Sequence, residues 1–179
     1  MRVFIILIFT AFTTGALAQC PKNPAISEEL DEAYRSLKFA KFPRDAQVAT
    51  DVLWSLWTRA PDNRAQRLLN RGMMNLRLGD LAAAEGFLSV LIKYCPDYAE
   101  GYNQRAFARY LAGNFEGALP DLARALSILP RHLGALSGKG LTHLALGQPE
   151  LAEIEFRKEM ALNPFTADRD LIPNLGTDL

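Results

Sequence analysis

The sequence is poor in the residues that build metal and redox centres. Its 179 residues include two cysteines and two histidines, too few for a cysteine-rich zinc module. Charge of one sign is missing as well. Twenty basic and twenty acidic residues cancel to a formal net charge of zero, so the electrostatic footprint of a nucleic-acid binder is absent. No glycine-rich phosphate cradle occurs either: the nearest string, GALSGKG from Gly134 to Gly140, has the wrong spacing for a Walker-type loop and falls within a helical pattern. No base stands beside an orienting partner as acid–base or nucleophilic catalysis requires. These gaps argue against a catalytic centre, a metal site and a cofactor site.

The long apolar run lies at the amino terminus. Arg2 precedes an apolar stretch from Val3 to about Phe12, followed by Ala16-Leu17-Ala18. A transmembrane helix needs roughly 20 apolar residues, and this run is shorter. It ends in the small-x-small pattern that signal peptidase accepts. Residues 1–18 therefore read as a secretory signal, with a mature start at Gln19 and no membrane span after cleavage. A buried amino-terminal helix or strand is the competing reading, but no polar residue interrupts the run as an amphipathic element would require. Residues 19–26, with Pro21 and Pro24, form an extended leader.

Export puts the two cysteines in an oxidising compartment, where an even count points to pairing. Cys20 with Cys95 is then the one available disulfide, and closing that loop would stabilise the fold by about 4 kcal/mol. Two free thiols and a lipidated Cys20 are the alternatives. Lipidation fits poorly because Gln19 stands where lipoprotein signals place a small residue.

With 49% hydrophobic and 22% charged residues, the chain as a whole fits one soluble globular domain. Ser27 reads as an N-cap followed by Glu28 and Glu29, which suit a helix start. Leu30, Tyr34, Leu37 and Ala40 then share a helical face. Pro43 opens a second helix whose stripe runs through Ala46, Ala49, Leu53, Leu56 and Trp57 to Pro61. Trp54 and Trp57 cannot both be central in that stripe, so one is expected in the core against the first repeat and the other at an edge, available as an anchor for a partner.

From residue 65 the chain repeats itself every 34 residues. Pro96, Pro130 and Pro164 are in register, as are Gly79, Gly113 and Gly147, then Ala84, Ala118 and Ala152, and the small residues Gly72, Ala106 and Gly140. A fixed period of this length signals stacked helical pairs, none of which buries enough area alone. The small residues are expected to face the in-register alanines and allow close approach. Leu91 and Glu159 stand where the middle copy has Ala125, and Pro120, just past the first turn of its helix, is expected to delay or kink it.

These residues resemble the tetratricopeptide repeat. Its W-x2-L-G-x2-Y…A-x3-F…P pattern is partly met by Tyr102, Ala106, Ala118, Leu122 and Pro130, by Leu68, Gly72, Ala84, Leu88 and Pro96, and by Leu136, Gly140, Ala152, Phe156 and Pro164. The resemblance implies an all-α, right-handed superhelical array of helix-turn-helix hairpins: three repeats at 65–98, 99–132 and 133–164. Residues 27–64 would form a degenerate capping hairpin, and 165–179 a tail packing on or fraying from the last repeat.

The resemblance also implies a concave groove lined by the first helix of each hairpin. By register this turns Leu69, Met73, Asn103, Phe107, Tyr110, Ser137 and Leu141 toward a partner, with Leu76 and Leu144 packed between helices. The Lys, Arg and Asn clamp with which some members hold a peptide carboxy terminus is missing, since Leu69, Met73, Gly134 and Gly138 occupy its places. His132 reads as a solvated or capping residue and His143 as a half-buried, hydrogen-bonded one. The expected function is an exported, non-enzymatic module binding a protein or peptide in the bacterial periplasm or outside the cell. The alternatives are an accessory subunit of an envelope assembly that uses the array ends, and an enzyme of unfamiliar type.

Overall fold

The computed structural model describes residues 20–21 and 26–172. The expected signal, most of the leader and the end of the tail lie outside these residues. Eight α-helices form within them: α1 (Ile26–Lys38), α2 (Pro43–Trp57), α3 (Asn63–Leu78), α4 (Leu81–Tyr94), α5 (Ala99–Leu111), α6 (Phe115–Ile128), α7 (Leu133–Ala145) and α8 (Pro149–Leu162), with a short 3-10 helix at Ala167–Leu171. None of the described helices is long and apolar enough to cross a membrane.

Helices α3 to α8 form three antiparallel pairs stacked in a right-handed superhelix. The turns show why the pairs are alike. Gly79, Gly113 and Gly147 end the first helix of each pair at φ 76°, 74° and 69°, a left-handed conformation that costs glycine little. Asp80 and Asn114 then cap the next helix, their side chains accepting the N–H of Ala83 and Gly117. Pro96, Pro130 and Pro164 each open the turn that follows the second helix, the same corner in all three copies. Pro120 does not delay its helix: α6 starts at Phe115, in register with Leu81 and Pro149.

Close approach within the first and third pairs sets a glycine against a large side chain. A Cβ built on Gly72 would lie 2.6 Å from Leu88 Cγ, and one on Gly140 2.3 Å from Phe156 Cε1. A second rule spans the pair. Arg105 binds Asp121 through two bonds of 2.8 and 2.6 Å, and Lys139 meets Glu155 at 2.9 Å one period later. In the first repeat the same two positions hold Arg71 and Phe87, and the guanidinium stands 5.5 Å from the ring centre. Burial raises the Glu155 carboxyl, but hydrogen bonds from Lys139 and Lys158 outweigh it and hold the group below its ordinary range.

The first hairpin is not where the sequence reading placed it. Ala33, Tyr34, Leu37, Ala49, Leu53, Leu56 and Trp57 form a core that closes on Leu133, with Leu129 and Leu162 packed against it; no α3 or α4 residue belongs to that cluster. The pair α1–α2 therefore lies across the corners of the later repeats instead of extending the stack before α3. The Tyr34 hydroxyl donates to the Arg131 carbonyl at 2.5 Å, and Arg131 also pairs with Asp31. Burial pushes the phenols of Tyr34 and Tyr98 well above their ordinary range. Periodicity finds an apolar stripe but does not say which surface receives it, and here Leu129, Leu133 and Leu162 receive it.

Cys20 and Cys95 are joined in a disulfide that spans 75 residues of chain, fastening the leader to the corner after α4. At the other end, Ile172 is buried against Ala152 and Phe156, so the tail as far as residue 172 covers the last pair.

Candidate functional site

A cleft of about 300 Å3 opens on the face formed by the first helices of the second and third repeats. Its walls are aromatic. Phe107 and Tyr110 come from α5, Trp54 reaches in from α2, and Leu141 closes the far side on α7. Exposure of 48% at Phe107 and 44% at Trp54 leaves two large rings half in water, which costs about 25 cal/mol for each Å2 of apolar surface left uncovered. Tyr110 is kept in place by a tilted contact with Phe115, ring centres 5.4 Å apart. Gly134 and Gly138 form part of the floor; a Cβ at Gly138 would come within 3.1 Å of Leu122 Cδ2, so the missing side chain keeps the cleft deep.

Its polar edge is built on a buried carboxylate. Glu100 is 1% exposed and accepts from Asn103 Nδ2 at 3.1 Å and from Gln104 Nε2 at 2.6 Å. His132 completes the set with Nε2 at 2.8 Å from the same carboxylate, while its Nδ1 accepts the Ala135 N–H and caps α7. The cap settles the tautomer: Nδ1 is the acceptor, so Nε2 carries the proton donated to Glu100. Held by these bonds, Asn103 and Gln104 bring their amides to the lining of an otherwise apolar cleft as its polar handles.

Of the seven residues expected in the groove, four meet here: Asn103, Phe107, Tyr110 and Leu141. The other three do not. Leu69 is fully buried in the core with Leu88, Leu91 and Tyr98, because in the first repeat this register position points between the helices of the stack. Met73 packs against the same core. The Ser137 hydroxyl donates to Asp168 and borders a different cleft, beside α2.

Sequence reasoning missed the support beneath the site. Glu100 carries no mark of burial in the sequence beyond Asn103 and Gln104 at i+3 and i+4, the spacing that shares one helix face. His132 is the buried cap of α7, 0% exposed, and is not solvated. His143 is buried, its Nδ1 2.8 Å from Gln148 Oε1. Among the described residues no group of three or more His, Cys, Asp or Glu side chains could hold a metal ion.

Comparison with known proteins decides the family. A TPR repeat-containing protein of Rhizobium etli is 28% identical over 142 residues, which cover 79% of this chain and 69% of that protein. Tetratricopeptide repeat protein 36 of Bos taurus is 31% identical over 121 residues, 65% of this chain and 64% of that one. The chain is a tetratricopeptide repeat protein. No family model matches it; the repeats are recognised through these relatives and through the corners and glycines described above. This tetratricopeptide array also shares its fold with the first TPR of Spaghetti (RPAP3), solved bound to the HSP90 peptide SRMEEVD. The TM-score is 0.59 at 20% identity, covering 60% of this chain and 85% of that one.

Proposed function

We propose that this tetratricopeptide repeat protein is a non-enzymatic binding module whose cleft takes an apolar or aromatic side chain from a protein or peptide partner. The observation that carries this reading is the half-exposed ring of Trp54, Phe107 and Tyr110 around a cleft with fixed amide handles. Among the described residues no Lys or Arg lines it, so an acidic carboxy terminus of the SRMEEVD kind meets no counter-charge from them. Selection from a random peptide library, with wild type and the Phe107→Ala/Tyr110→Ala double variant as baits, tests the proposal. A consensus with a large apolar residue, lost in the double variant, is expected. Enrichment of acidic carboxy termini, or selection unchanged by the double variant, would sink it.

The same proposal places the mature chain in a bacterial periplasm or outside the cell. The signal-like pattern of residues 1–18 and the Cys20–Cys95 disulfide support this. Fractionation of cells expressing the full chain, with the amino terminus of the mature form sequenced, tests it; an uncleaved cytosolic product would refute it. A second reading, docking through the open end of the array, is favoured by Met74, Leu78 and Val90, which stand 51%, 70% and 49% exposed on the first repeat because α1–α2 lies elsewhere. Substituting these three with serine separates the two readings.

A further inference from the structure

Position 159 departs from the repeat rule. Its equivalents one and two periods earlier are Ala125 and Leu91, both 0% exposed. A carboxyl group thus stands where the array otherwise packs apolar side chains. Among the described residues three further carboxyl groups are nearly buried, and all three are well partnered. Glu100 has His132, Asn103 and Gln104; Asp121 has Arg105 and Arg109; Glu155 has Lys139 and Lys158. Glu159 differs. It is 5% exposed, accepts one bond of 2.8 Å from the Thr166 hydroxyl, and its Oε2 finds no donor among the described residues.

Glu159 also borders a cleft of about 360 Å3 between α2 and the end of the last repeat. From α2 the side chains facing it are neutral: Gln47, Thr50 and the indoles of Trp54 and Trp57. From α7 comes the Ser137 hydroxyl. Behind it, Asp168 of the 3-10 helix adds a second negative charge and holds the Ser137 hydroxyl. Among the described residues no Lys or Arg lines the cleft. Leaving a carboxyl uncompensated at this depth costs free energy that a cation in the cleft would recover.

We propose that this cleft binds a primary ammonium group, that of a lysine side chain or of a free alkylamine, with Glu159 as its counter-charge. An ammonium brings three donors and no acceptor, and once Glu159 has lost the proton it shares with Asp168 the site offers acceptors: Glu159 Oε2 and the oxygens of Thr166 and Ser137. The two indoles supply apolar walls for an alkyl stem and π faces that attract a cation. Burial first, against the opposing hydrogen bond from Thr166, and then the charge of Asp168 and a hydrogen bond with it, lift the empty carboxyl to about 8, so near neutral pH it holds a proton. Ammonium binding expels that proton to solvent and leaves the ion pair. The site is separate from the apolar cleft of the preceding proposal, although Trp54 borders both.

The experiment uses the two tryptophans, Trp54 and Trp57, which are the only ones in the chain. The full folded chain is titrated near neutral pH with pentylamine, with Nα-acetyl-lysine amide and with pentan-1-ol, following intrinsic fluorescence. Saturable binding of at least one amine is expected, with no saturation by the alcohol and affinity at least about tenfold weaker in Glu159→Gln. The tighter of the two amines assigns the source, a free amine or a lysine side chain. Calorimetry in two buffers of different ionisation enthalpy should show close to one proton released per amine bound. Equal binding of pentan-1-ol, no saturable binding of either amine, an unchanged affinity in Glu159→Gln, or no proton release would overturn the proposal. If Glu159→Gln does not fold, the alcohol comparison and the proton count on wild type decide.

Discussion

The indole of Trp57 lies flat on the imidazole of His132, ring centres 4.3 Å apart and planes 19° from parallel. This contact joins the first hairpin to the corner that opens the third repeat. It is also the outer end of a buried chain that runs from Trp57 through His132 to Glu100 and then to the amides of the apolar cleft. The orientation of the cleft handles therefore depends on a helix pair that is not part of the array.

Replacing His132 with alanine removes the stack, the α7 cap and one donor to a buried carboxylate. A loss on the order of 3 kcal/mol is expected, dominated by the donor withdrawn from Glu100. Urea denaturation measures it, and Trp57 emission should shift to longer wavelength as its covering ring disappears. A loss below about 1 kcal/mol would mean that the chain of contacts contributes little.

The Arg105–Asp121 pair is best judged by a cycle. Arg105→Met leaves Asp121, whose side chain is 5% exposed, with Arg109 as its remaining cation, and a cost of roughly 2–4 kcal/mol is expected. Arg105→Met with Asp121→Leu should recover much of that, because an apolar pair of similar volume carries no desolvation penalty. If the double variant is no better than the sum of its singles, the pair is not coupled.

Stability should fall as pH rises toward 9, with Glu159 as the cause. Its folded-state carboxyl is raised from the ordinary 4.5 to about 8, so the native chain holds a proton that the unfolded chain gives up. The stabilisation is complete below the unfolded value and is lost as pH climbs through the folded one. Glu159→Gln should flatten this profile, gaining on wild type by on the order of 3–5 kcal/mol at high pH. Denaturant midpoints near pH 6 and pH 9 check it; parallel profiles for the two proteins would refute it.

Removing the Cys20–Cys95 bridge by Cys→Ser at both positions should cost about 2–4 kcal/mol, through the loop it closes in the unfolded chain. The melting temperature of the variant against oxidised wild type measures this. Thiol labelling before and after reduction confirms that neither cysteine is free in the native protein; full labelling without reductant would contradict the bond.

Much of the array could be read from spacing. Prolines at 96, 130 and 164 and glycines at 79, 113 and 147 mark places where the backbone itself is constrained, by a missing N–H and by a left-handed φ, and such constraints are local enough to be written in the residue types. Phe107, Tyr110, Asn103 and Leu141 meet because helical register alone puts them on one face. Register could not distinguish Leu69 from Asn103, which occupy the same repeat position: one is sealed in the core and the other edges the cleft, since exposure depends on what covers a face.

The sequence by itself determined the 34-residue rhythm, the hairpin turns and the single cysteine pair available for a bridge, because each rests on local geometry or on counting. Only the tertiary structure decided where α1–α2 packs, that His132 and Glu100 are buried together, and that Glu159 faces a cleft with no Lys or Arg among the described residues. Those three depend on which surfaces exclude water from which, and no stretch of chain carries that information until the others are in place.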